Sequence, residues 1–75
     1  MTRLSGLKPK RVVKAFERLG WTVARQKGSH CVLIREGSPV NLTIPIHAKE
    51  IKQGLLRALL TKAGISVKDF LAAYK

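Results

Sequence analysis

Apolar positions recur along this chain in two different periods, and the change of period predicts the order of its elements. From 8 to 19, KPKRVVKAFERL, the apolar residues Val12, Val13, Phe16 and Leu19 fall at helical spacing. Pro9 suits a first helical turn, where a missing N–H costs nothing. Lys10, Arg11, Lys14 and Arg18 occupy mainly the other side, and Gly20 follows the last apolar position as a helix-ending glycine does. The period then falls to two. Over 21 to 26, WTVARQ, Trp21 and Val23 point one way and Thr22 and Ala24 the other. Lys27-Gly28-Ser29 reads as a turn, HCVLIR (30 to 35) as a strand apolar on both faces and hence central, and Glu36-Gly37-Ser38-Pro39 as a second turn. In VNLTIPI, Leu42, Ile44 and Ile46 share a face. Pro45 cannot donate to a ladder and belongs at the strand's end or on an edge.

Helical spacing returns over 53 to 63, QGLLRALLTKA, with Leu55, Leu56, Leu59, Leu60 and Ala63 on one side and Gly64 as the stop. Ser66-Val67-Lys68-Asp69 is a variant capping box opening a short last helix, whose stripe is Val67, Phe70, Leu71 and Tyr74. The predicted order is α-β-β-β-α-α, an α+β fold. Three successive strands on short turns make an antiparallel sheet, and helices with one apolar stripe each cover one of its faces and leave the other open. With 75 residues this is a single domain, 1–75, with an ordered core from about 7 to 74. A core so thin leaves no room for a deep cavity, so a large ligand lies on the surface.

Charge narrows the ligand. Fifteen Lys and Arg against four Asp and Glu give a formal net charge of +11 and a pI near 10.8. That balance marks a polyanion partner, with nucleic acid ahead of an anionic membrane. The cations are spread from Arg3 to Lys75, which points to a folded positive surface and not a basic tail. The single cysteine, Cys31, excludes an internal disulfide, and one Cys with two His is poor material for a zinc site. No metal or cofactor is called for. A reducing cytoplasm fits, because MTRLSGLKPK lacks a signal-peptide core and no apolar run nears the roughly 20 residues of a membrane span.

Few residues offer chemistry. There is no Gly-rich phosphate loop, no paired-carboxylate site and no spaced Ser-His-Asp set; Glu17 and Asp69 look like surface or capping residues. His30 is the best candidate, since an imidazole both takes and gives protons near neutrality. Gly28 beside it leaves room for a nucleic-acid backbone, and Ser29 has a hydroxyl for a phosphate or for the ring. Arg25, Lys27 and Arg35 are expected to surround the site with positive charge, which binds phosphate and favours the neutral ring. The competing reading is a surface histidine in a hairpin. His47, in I-P-I-H-A-K, comes near His30 if the third strand pairs with the second; it serves as a second acid–base group or, more simply, as a loop or phosphate contact. Lys10 and Lys14 of the first helix, with Lys49, Lys52 and Arg57, offer further phosphate contacts. Phe16, Trp21, Phe70 and Tyr74 all sit on apolar faces, so no stacking platform for single-stranded bases is visible, and recognition through backbone and shape is implied.

These residues together resemble a known family. The helix ending L-G-W, G-S-H opening the second strand, I-P-I-H, and G-L-L-R-A-L-L-T-K-A-G-I-S-V-K-D-F are similar to the HicA (YcfA-like) toxins of bacterial toxin–antitoxin systems, over about residues 7 to 71. The resemblance implies a fold like the double-stranded RNA-binding domain and an mRNA interferase, an endoribonuclease that arrests growth. It implies His30 as the catalytic histidine and a HicB-type antitoxin that covers the site. Gly54-Leu55-Leu56 stands where members often have G-T-L, so the threonine's cap on the second helix is missing, and Cys31 stands where a second histidine or an aromatic often follows. Two other functions fit the same charge. One is a non-catalytic RNA-binding module with His30 as a groove contact. The other, a membrane-surface protein using the basic first helix, ranks last because the apolar faces are committed to a core.

Overall fold

The computed structural model describes residues 4–74; Arg3 and Lys75, the first and last of the spread cations, lie outside the described residues. Six elements follow in the order α1 (Pro9–Arg18), β1 (Thr22–Lys27), β2 (His30–Ile34), β3 (Leu42–Pro45), α2 (Gln53–Ala63) and α3 (Val67–Ala73). The three strands form one antiparallel sheet in the order β1-β2-β3, with β2 at the centre. This is the α+β architecture that the two periods predict. Pro45 ends an edge strand, where its missing N–H leaves no gap in the ladder.

Burial alternates along β2 and β3 and identifies the covered face. Cys31, Leu33, Leu42 and Ile44 are buried under the helices, while His30, Ile34 and Thr43 are exposed on the other side. Phe16 of α1, Leu56 of α2 and Phe70 of α3 are fully buried among them. Phe16 is the hub. Its ring meets Phe70 at 5.3 Å and Trp21 edge-on at 6.4 Å, within the range in which aromatic pairs add to simple burial. Leu4, ahead of the first helix, is buried as well.

The caps behave as local chemistry demands. Gly64 ends α2 with φ at +72°, and its N–H and that of Ile65 turn back to the carbonyls of Thr61 and Leu60. Ser66 accepts a 3.0 Å hydrogen bond from the Asp69 N–H, the capping half of the motif. At the start of α2 the N-cap is Lys52, which makes no side-chain cap; Leu55, at the expected threonine position, is the third residue of the helix, so the expected loss of a threonine cap there is corrected. One stripe assignment is corrected: Leu55 is 38 % exposed and turns away from the core that takes Leu56, Leu59 and Leu60. At 100° per residue α2 carries more leucine than one buried stripe accommodates, and its tertiary contacts choose which leucine is left out.

Candidate functional site: the hairpin tip and its two faces

Lys27 and His30 are paired across the β1–β2 ladder, so Gly28 and Ser29 alone form the hairpin loop. Gly28 has φ at +58°, and no non-glycine residue has positive φ among the described residues. A two-residue loop with positive φ only at its first position has the type II′ pattern, whose twist matches that of the strands it joins. The glycine is therefore needed for the turn itself. A Cβ on Gly28 would meet nothing within 4 Å, so the tip is also open to a large ligand.

The same register puts His30 opposite Pro45 of β3. Immediately beyond, the Ile46 N–H donates a 2.8 Å hydrogen bond to the Ser29 carbonyl. The turn is thereby tied to the end of β3, and the exposed loop that begins with His47 and contains Lys49 starts at the tip. The antiparallel argument for the neighbourhood of His30 and His47 holds at the level of the backbone.

Residues opposite one another in an antiparallel pair project to the same face. His30 thus shares the open face with Lys27, and with Arg25, which pairs with Val32 two rungs along. Arg25 reaches that face through an irregularity: the register shifts between Val23 and Arg25, leaving Ala24 as an extra residue. Arg35 is corrected. It follows the far end of β2, and its Nε lies 3.7 Å from where a Cβ on Gly20 would sit, so its charge belongs to the opposite end of the sheet from His30.

Lys10 and Lys14 are on the other side of the sheet. Together with Glu17 they line a cleft of about 250 Å³ between α1 and the covered face of β1 and β2. Cys31, the residue after His30, reaches into this cleft from the covered face. It is a free, buried thiol; burial first and the Glu17 carboxylate second push its pKa up from the ordinary value. That makes it an inert thiol and not a nucleophile. Glu17 and Gln26 are the cleft residues that the sequence reading passes over. A signal for one of them exists: Lys10, Val13, Lys14 and Glu17 fall at i, i+3, i+4 and i+7, a single helix stripe that mixes charge with one valine.

Lys49, Lys52 and Arg57 are exposed around the start of α2. Among the described residues, no three His, Cys, Asp or Glu side chains gather as a metal site, and no helix is long and apolar enough to cross a membrane.

The family model for the HicA toxin of bacterial toxin–antitoxin matches residues 9–65. The chain belongs to the HicA toxin family. The match runs from the first residue of α1 to just beyond α2 and includes the whole sheet and the hairpin tip. It stops short of α3. Among curated proteins no relative matches the chain. Membership makes this a toxin with an antitoxin partner in general terms, and a strongly cationic one.

Proposed function

We propose that this HicA-family chain is a metal-independent endoribonuclease that cleaves mRNA, with His30 as its general base, and that a HicB-type antitoxin neutralises it. The observation that carries this reading is the hairpin tip: an exposed imidazole paired with Lys27, beside a glycine that leaves the approach open. In the reaction, neutral His30 takes the proton of a ribose 2′-hydroxyl. The 2′-oxygen attacks the adjacent phosphorus and the bond to the 5′-oxygen breaks, leaving a 2′,3′-cyclic phosphate and a 5′-hydroxyl. The departing 5′-oxygen takes a proton from water or from His47. Arg25, Lys27 and Lys49 offset the negative charge that builds on the phosphoryl oxygens. The backbone tie from Ile46 to Ser29 supports His47 as a neighbour of the reacting group.

The antitoxin binds a chain of net charge +11 and so presents acidic groups to it. Growth arrest then follows from the loss of mRNA in the cytoplasm.

The test is RNA cleavage in EDTA by the native chain and by His30→Ala, with folding matched by circular dichroism. His30 is exposed at a strand end, so its removal leaves the core intact. Cleavage falls by about 10²–10⁴-fold in the variant, the usual contribution of a positioned acid–base group. A substrate carrying a 2′-deoxy sugar at the scissile position is not cut. Binding of RNA by both proteins with cleavage by neither identifies a binding module instead.

A further inference from the structure

The cleft behind the hairpin tip has no role in the chemistry above. Val13, Val23, Cys31 and Ile46 are its buried or half-buried walls, and Glu17 and Gln26 are exposed polar groups at its edge. At about 250 Å³ it lies just below the range of about 300–1,000 Å³ typical of pockets that enclose a whole small molecule. It accommodates one flat group whose remainder stays outside. Lys10 and Lys14, one turn apart on α1, stand at the same opening and supply positive charge to whatever enters.

The cleft and His30 share a strand end. Cys31 is the next residue after His30 and faces the opposite side, and Ile46 is the residue whose N–H holds the Ser29 carbonyl. A chain crossing the hairpin tip passes from the side of the cleft to the side of His30.

We propose that the cleft is a base subsite: it takes one unstacked, amino-bearing nucleobase of the RNA while the neighbouring phosphate lies at His30. This deepens the endoribonuclease reading and rests on it for the position of the phosphate. The apolar walls bury the base faces, and bases lifted out of a stack are how proteins read single-stranded RNA. The Glu17 carboxylate accepts from an exocyclic amino group, and the Gln26 amide both donates and accepts along a base edge. Uracil has no amino group and leaves Glu17 facing carbonyl oxygens. Lys10 and Lys14 hold the flanking phosphates. The cleft supplies an apolar base seat without an aromatic platform, which the four committed aromatic rings cannot provide.

The test uses the whole 75-residue chain carrying His30→Ala, which on the proposed mechanism binds RNA without turning it over, with labelled valine and isoleucine methyls followed by NMR. The probes are three-residue oligoribonucleotides that differ only in the central base. Saturable shifts of the Val13, Val23 and Ile46 methyls, with adenine, cytosine or guanine binding about tenfold more tightly than uracil, are expected from one hydrogen-bonded discrimination. Glu17→Gln narrows that ratio and leaves binding in place, and the residue is exposed, so the fold is kept. Shifts confined to Val32 and Ile34 on the open face overturn the subsite, as does movement of the cleft methyls with an antitoxin but not with RNA. The two readings fail separately. Cleft shifts without cleavage by the native chain remove His30 as the base but keep the subsite; His30-dependent cleavage without cleft shifts removes the subsite alone.

Discussion

Lys27 and His30 face each other on the last rung of the β1–β2 ladder, and the whole hairpin loop is the two residues between them. Directly opposed side chains have Cβ atoms about 4.5–5.5 Å apart, so the ammonium is close enough to share a phosphate with the imidazole. Lys27→Gln keeps the stem and removes the charge. On the proposed mechanism RNA cleavage should fall by about tenfold or more, since that mechanism sets the lost cation at the developing phosphoryl charge. Lys27→Glu should be worse than Lys27→Gln, because a carboxylate repels the substrate. Single-turnover cleavage at two salt concentrations checks this: the difference between the two variants shrinks as salt screens the exposed charge.

The turn separates backbone need from steric need. Gly28 has φ at +58°, but a Cβ there has nothing within 4 Å to meet. Gly28→Ala therefore bears only the backbone strain of a positive φ, about 1–3 kcal/mol. In a domain of this size each kcal/mol lowers Tm by about 4–8 °C. Gly28→Asn should recover part of that, as asparagine is among the residues that primed turns accept. Thermal denaturation of the three proteins tests the order Gly, Asn, Ala. An alanine variant as stable as the native chain would mean that the loop takes another turn type.

Much of this was legible because it is local. Gly64 as a helix stop, Ser66 as a cap, and the alternation of Leu42, Ile44 and Ile46 depend on neighbours in sequence, and each stands as the periods imply. What was not legible depends on partners. Strict alternation from Trp21 and Val23 would carry Arg25 onto the covered face, and nothing in WTVARQ announces the extra residue at Ala24. Only the pairing with β2 reveals the shift that returns Arg25 to the side of His30. Arg35 was misplaced for a similar reason: five residues of strand separate it from the tip, roughly 17 Å at strand rise. The cleft was invisible because its walls come from α1, β1, β2 and the segment after β3. The position of His30 was readable, since a Gly-Ser turn beside a strand start fixes its place without tertiary information.

Cys31 provides a pH test with a definite sign. Its thiol is buried, and burial, aided by Glu17, raises its pKa above the ordinary value. The folded state thus favours the protonated form more than the unfolded state does. The contribution to stability is complete below the unfolded thiol pKa, about 8.5, and is lost as pH rises through and beyond it. Urea midpoints should decline above that pH in the native chain and decline less in Cys31→Ala, which lacks the group, although the variant starts lower because it leaves a small void. Alkylation of the thiol should be slow in buffer and fast in denaturant. Fast alkylation of the folded protein would contradict its burial.

The helix beyond the family match carries the last prediction. α3 begins at Val67, after the matched span ends at residue 65, yet it and Tyr74 just beyond it close over α1 through four contacts. The Phe70 ring lies 5.3 Å from Phe16. The Tyr74 hydroxyl accepts a 2.9 Å hydrogen bond from the Lys8 N–H at the start of α1. Arg18 donates to the Ala73 carbonyl at 2.7 Å, and the Arg11 guanidinium sits 4.9 Å above the Tyr74 ring. A chain of 75 residues has a total stability of about 4–11 kcal/mol at the usual value per residue. Phe70→Ala removes a fully buried ring and costs about 3–5 kcal/mol, so it takes a large part of that total. Tyr74→Phe loses only one exposed hydrogen bond and costs about 0.5–1.5 kcal/mol. Urea titration should rank native above Tyr74→Phe and both well above Phe70→Ala. RNA cleavage by Phe70→Ala should fall with the folded fraction and recover in an excluded osmolyte, which favours the compact state without supplying any lost chemistry. A variant that stays folded and yet loses cleavage would assign α3 a direct part at the site instead of a supporting one.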